Sequence, residues 1–173
     1  MAESLRDRLQ WQTEQGQIMD ADRRYVMMRA DVLMGLFREL PTDAARAQAL
    51  VALARSTARG GGASTRAYFQ TLRGDVGALL NTMAGYSSEL GWGVWAFSAP
   101  PGQDALLLEV RNSPFAAGFG ASAHPVCHPI AGILQTVGEL ALGRPVTVEE
   151  TSCAAQGHAQ CHFEIRPASS DSS

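Results

Sequence analysis

The chain has 173 residues, 46% of them hydrophobic and 18% charged, which is enough apolar material for one core and not for two. Its 14 basic residues are all Arg, set against 17 acidic residues for a formal charge of −3. The missing lysine excludes a Schiff-base enzyme, a Walker-A phosphate loop and a kinase-type lysine. Arg23-Arg24 is the one adjacent basic pair and makes no phosphate-reading patch, so direct nucleic-acid binding is not expected.

No run approaches the ~20 apolar residues of a membrane span. The charged start Met1-Ala-Glu-Ser-Leu-Arg lacks the apolar middle of a secretion signal. A cytoplasmic protein is therefore expected, where thiols stay reduced. Three cysteines, Cys127, Cys153 and Cys161, cannot complete a disulfide framework, and all three fall in the last third of the chain.

In chain order, residues 2–15 read as a polar helix carrying Leu5 and Leu9. Residues 20–22 read as a turn and 23–29 as a strand. Val32, Leu33, Leu36, Phe37 and Leu40 have helical spacing over residues 30–40, and Pro41 stops that helix. Thr42 caps a second helix running to about residue 58, which Gly60-Gly-Gly62 is expected to break. Further helical patterns cover residues 64–72 and 75–90, the latter with a stripe of Val76, Leu79, Leu80, Met83 and Tyr86. The second half changes character. Residues 92–97 and 105–111 read as a hairpin, and 112–123 as a loop with Phe115 and Phe119. A helix starts between Pro125 and Pro129 and ends at Gly143, and residues 144–151 and 160–166 form a last hairpin turning at Gln156-Gly157. Residues 1–22 thus make an N-terminal helix or arm, 23–167 a single domain and 168–173 a disordered Ser-rich tail. The fold class is α+β, a helical N-terminal half packed on an antiparallel sheet.

With Gln156-Gly157 at the hairpin tip, Ser152 pairs with Cys161, and Cys153 lies within one residue of facing Cys161. Cys127 precedes a helix start, where the dipole favours a thiolate. Glu149 and Glu150 point to opposite faces of their strand, so one of the two can join the thiols. Three thiolates and a carboxylate suit a closed, structural zinc site. His128, His158 and His162 are rival ligands, and a Cys153–Cys161 redox pair is the competing reading.

Three motifs, Pro125-Val-Cys127-His-Pro-Ile-Ala-Gly132, Val148-Glu-Glu150-Thr-Ser-Cys153 and Gly157-His-Ala-Gln-Cys161-His-Phe163, together resemble the 4-vinyl reductase domain family. Gly91-Trp-Gly93 and Asn112-Ser-Pro-Phe115 look like further features of it. From Cys127, Glu150 is 23 residues on, Cys153 26 and Cys161 34. In members that sense phenol- and xylene-type molecules for transcriptional activators, three cysteines and a glutamate at such spacing hold a structural zinc. The resemblance thereby selects Glu150 over Glu149 as the fourth ligand. It implies the architecture shared with nitric-oxide sensors and Golgi-transport tethering subunits, a zinc-clamped C-terminal hairpin and a homodimer.

Other motifs carry less. Gly118-Phe-Gly-Ala-Ser-Ala123 matches a dinucleotide fingerprint but follows a loop, with no βαβ unit around it. No carboxylate pair has an acid–base role, and no nicotinamide or flavin site is visible, so no catalytic residue is assigned and binding is expected over catalysis. Tyr86, Trp92, Trp95, Phe97, Phe115 and Phe119 are the candidates to line an apolar ligand pocket. The leading expectation is a sensor-type module that encloses a small hydrophobic or aromatic molecule. An accessory or carrier protein of bacteriochlorophyll or tetrapyrrole metabolism and a non-catalytic scaffold are the alternatives. Pocket size separates the first two: a phenol needs a small closed cavity, a chlorin a large open one.

Overall fold

A computed structural model describes residues 4–169, so the expected tail beyond residue 169 and the first three residues lie outside it. The element order is α1 (Leu5–Arg8), β1 (Gln10–Gln12), β2 (Gln17–Asp20), β3 (Arg23–Tyr25), α2 (Ala30–Arg38), α3 (Asp43–Thr71), α4 (Val76–Glu89), β4 (Val94–Ser98), β5 (Leu106–Arg111), α5 (Pro114–Phe119), α6 (His128–Leu142), β6 (Val146–Ser152) and β7 (Cys161–Pro167). The fold is α+β, as expected.

The chief sheet is antiparallel, in the order β4-β5-β7-β6. Alternation decides its faces. Leu106, Leu108 and Val110 of β5 pair with Ile165, Phe163 and Cys161 of β7, and this row is buried. Above it lies α6, whose Ile130, Leu134 and Val137 are buried. Gly138 lets the helix come close, since a Cβ there would stand 2.4 Å from Ile165 Cγ2.

Four expectations are corrected. Residues 2–15 do not form one helix: one turn, α1, is followed by β1 and β2, which pair with β3 in a small sheet that crosses the residue 22 boundary. Helical spacing over so short a polar stretch is a weak signal, and β2 offers Ile18 to pair with both Trp11 and Tyr25. The strand expected over 23–29 is confined to Arg23–Tyr25, and residues 26–29 pair with nothing regular.

The triple glycine does not break the second helix. Thr42 Oγ1 accepts from Ala45 N at 3.1 Å, and α3 then runs for 29 residues through Gly60, Gly61 and Gly62. The reason is the packing of α3 on α6. A Cβ on Gly61 would sit 2.2 Å from Ile133 Cδ1, and one on Gly62 2.5 Å from Thr136 Oγ1. From the other side, a Cβ on Gly132 would meet Thr57 Oγ1 at 2.1 Å and Ala54 O at 2.2 Å. Helix propensity lost at glycine, about 1 kcal/mol each, is offset by close helix–helix contact.

Nor are residues 112–123 all loop. Ser113 Oγ accepts from Ala116 N at 3.4 Å with Pro114 in the first turn, a helix start that produces α5 and packs it on α2. The N-terminal segment is pinned by one residue. Arg8 Nη2 donates to Asp20 Oδ2 at 2.6 Å and to Tyr68 OH at 3.1 Å, and its Nη1 donates to Tyr86 OH at 3.2 Å.

Candidate metal centre and adjoining groove

Each member of the cysteine–glutamate set is placed by a different piece of backbone. Cys161 opens β7 and faces inward because it continues the buried row of Phe163 and Ile165. Glu150 pairs with Phe163, which puts it on that same inward face, while Glu149 pairs with Glu164 on the other. A bulge between Glu150 and Ser152 then shifts the register, so Ser152 pairs with His162 and not with Cys161 as expected. The tip is a 3-10 turn, Ala154–Gln156, in place of a two-residue turn at Gln156-Gly157. With that shift Cys153 follows the outward Ser152 and turns inward itself. Cys127 stands at the N-terminus of α6, where its backbone N–H donates to Glu150 Oε2 at 2.9 Å.

The four side chains converge. One donor atom from each of Cys127, Glu150, Cys153 and Cys161 lies within 4.8 Å of all the others. The Sγ atoms are 3.8 Å apart for Cys127–Cys153, 3.6 Å for Cys127–Cys161 and 4.0 Å for Cys161–Cys153. No disulfide joins them, and all three are buried. Ser113 Oγ lies 3.2 Å from Cys127 Sγ, and Ala154 N donates to Cys161 Sγ at 3.3 Å.

The electrostatics of the set are those of acids crowded without a counter-charge. Hydrogen bonds from Cys127 and Cys161 push Cys153 far down, toward thiolate, and the same contact with Cys153 pushes Cys127 far up. Cys161 is pulled down by Cys127 but pushed up harder by Cys153 and by burial, to about 12. Burial, reinforced by Cys153, raises Glu150 to about 8. Its Oε1 is buried without a hydrogen-bond partner. An orphaned carboxylate oxygen beside three close thiols fits a cation, and the cluster could hold a metal ion.

Of the rival ligands, His128 is half-buried beside the cluster with Nδ1 unpartnered, and burial pushes it below the usual imidazole range. His162 is tied to Gln160 Nε2 at 3.1 Å on the outward side, and His158 is exposed.

A groove of about 850 Å³ lies against this cluster. Leu50, Val51 and Ala54 of α3 form one wall, Phe119 and Val126 another, and Val148 part of the floor. His124, His128, Arg55 and Glu150 supply its polar edge. Sequence reasoning misses this groove, because it follows from α3 continuing past residue 58 at close range to α6. The six aromatic candidates are dispersed. Phe119 lies on the groove wall. Trp92 meets Phe115 edge-on at 4.9 Å, Trp95 meets Phe97 at 6.0 Å, and Tyr86 meets Tyr68 at 5.1 Å beside Arg8.

Residues 106–167, from β5 through β7 and including all four cluster residues, match the model of the vinyl-4-reductase (V-4-R) domain. The chain carries a vinyl-4-reductase domain. Its fold extends well beyond the matched segment. The phenol-responsive sensory domain of the transcription activator PoxR, solved with phenol, is 17% identical, with a TM-score of 0.76 over 96% of this chain and 92% of that one. A vinyl-4-reductase family protein of Methanocaldococcus jannaschii is 18% identical, with a TM-score of 0.51 over 81% of this chain and 91% of that one. A trafficking protein particle complex subunit 3 from Naegleria fowleri, covalently bound to palmitic acid, is 14% identical, with a TM-score of 0.55 over 81% of this chain and 95% of that one. No curated protein matches the chain by sequence. Among the described residues no helix is long and apolar enough to cross a membrane.

Proposed function

We propose that the chain is a zinc-stabilised, sensor-type vinyl-4-reductase module that binds a small hydrophobic or aromatic molecule, acting as a cytoplasmic homodimer. The observation that carries this reading is a shared wall. Val126 and Glu150 line the groove, while Cys127 and Glu150 belong to the cluster, so a molecule in the groove rests against the metal clamp. Zinc is favoured because a tetrahedron with zinc–sulfur bonds of about 2.3 Å has edges of about 3.8 Å. The three sulfur separations of 3.6–4.0 Å bracket that value. Zinc would fasten the start of α6 to the β6–β7 hairpin, and with four protein ligands it leaves no open position for chemistry.

The PoxR domain, which shares this fold, is phenol-responsive. Here the groove is large and open, within the ~300–1,000 Å³ that takes drug-sized ligands. That size favours a ligand bigger than one ring. It supports as a second reading a carrier or accessory role for a large flat pigment of tetrapyrrole type.

Native mass spectrometry of gently purified protein, then denaturing analysis of what is released, tests both. One zinc per chain with an aromatic compound is the expected result, and a released pigment selects the second reading. Reduced protein that takes up no zinc would overturn the clamp. A zinc-loaded chain that binds neither aromatics nor pigments would overturn the ligand reading.

A further inference from the structure

The outer side of α2 is the most apolar exposed surface among the described residues. Inward, Met34 and Phe37 are buried against α5. Outward, Val32 and Leu36 are 57% and 61% exposed, and between them a Cβ on Gly35 would meet nothing within 4 Å. Just before the helix, Val26, Met27 and Met28 are 80%, 75% and 56% exposed. Single exposed apolar residues are ordinary, but a contiguous patch marks an interaction site. A helix apolar on both sides belongs in an interior.

We propose that two copies of this chain associate through this face, their α2 helices antiparallel about a two-fold axis passing near Gly35. The argument is self-complementarity. At 3.6 residues per turn, Asp31 and Arg38 fall on one edge of the outward face and Val32 and Leu36 on the other, with Gly35 between. A two-fold that turns the helix end for end keeps like edges together and reverses their order. It sets Asp31 against Arg38 of the partner subunit, Val32 against the partner's Leu36, and Arg29 against the partner's Glu39. All three pairs share one centre, close to residues 34 and 35, where the bare glycine backbone lets the helices approach. A parallel arrangement would instead set Asp31 against Asp31 and Arg38 against Arg38. In the single chain Arg29 holds Asp31 at 2.5 Å, and Arg38 is exposed with no ion pair among the described residues. The unpaired cation is thus the charge that a second copy would answer. This surface deepens the homodimer reading above and does not depend on zinc or on the ligand.

Sedimentation velocity on the full chain over a range of concentrations tests it, with melting temperature as the fold control. The wild-type chain should be dimeric and Leu36→Glu monomeric. Asp31→Arg and Arg38→Asp should each weaken association about tenfold, and the double reversal Asp31→Arg/Arg38→Asp should restore it. A monomeric wild-type chain overturns both dimer and surface. A dimer indifferent to Leu36→Glu overturns the surface while leaving the dimer. Failure of the double reversal to restore association overturns the antiparallel pairing.

Discussion

Cys153 accepts hydrogen bonds from two thiols, and it is the residue on which the cluster closes. Cys153→Ser exchanges the thiolate for a hydroxyl that zinc binds poorly. Because metal-binding free energy is folding free energy, the melting temperature should fall by about 10 °C or more, a loss of roughly 3 kcal/mol. Differential scanning calorimetry with and without a chelator checks this, and the variant should be indifferent to the chelator. Acid should release the metal, since each ligand must be deprotonated to bind. Affinity falls as pH falls. Arg8 makes the other concentrated contact. Arg8→Met would leave the buried Asp20 carboxylate unpaired, for a cost of about 3 kcal/mol in urea denaturation. The four cluster residues are legible in the sequence because sulfur is scarce and its spacing specific. Arg8, Asp20, Tyr68 and Tyr86 are not, because their partnership joins residues far apart in sequence with no local pattern.

At the scale of elements, the glycines of α3 and α6 separate helix propensity from packing. Gly60 has open space where a Cβ would go, while Gly132 faces Thr57 Oγ1 and the Ala54 carbonyl at about 2 Å. Gly60→Ala should therefore stabilise the protein by about 0.5–1 kcal/mol. Gly132→Ala should destabilise it by about 1–3 kcal/mol or more. Equilibrium denaturation of the two variants decides the matter, and equal effects would show that the helices do not approach this closely. In the sequence, Gly60-Gly-Gly62 reads as a helix break, since three glycines lose propensity together. The facing Gly132 is more than 70 residues away, and only the pair explains why the helix survives. The helix start at Ser113-Pro114 is visible as a capping signal but is outweighed by the Gly and Ala content that follows.

For the whole molecule, the α+β class, the order of the C-terminal elements and the convergence of the four cluster residues are all readable from alternation and spacing. The groove is not, since its walls come from three separated segments. A bulky substitution should expose its role. Ala54→Phe, on the groove wall, should abolish binding of whatever molecule co-purifies while leaving metal content unchanged, as read by native mass spectrometry. Retention of that molecule would place it elsewhere in the fold.

The uninterrupted α3 also has a mechanical meaning. At 1.5 Å per residue its 29 residues make a rod of about 43 Å. Its first half is a wall of the groove, its crossing with α6 is a fulcrum, and near its far end Tyr68 grips Arg8. The rod is a lever. Prying apart the groove walls at one end must swing Tyr68 at the other, so the N-terminal strands become the pointer of a gauge whose sensing end lies beside the metal.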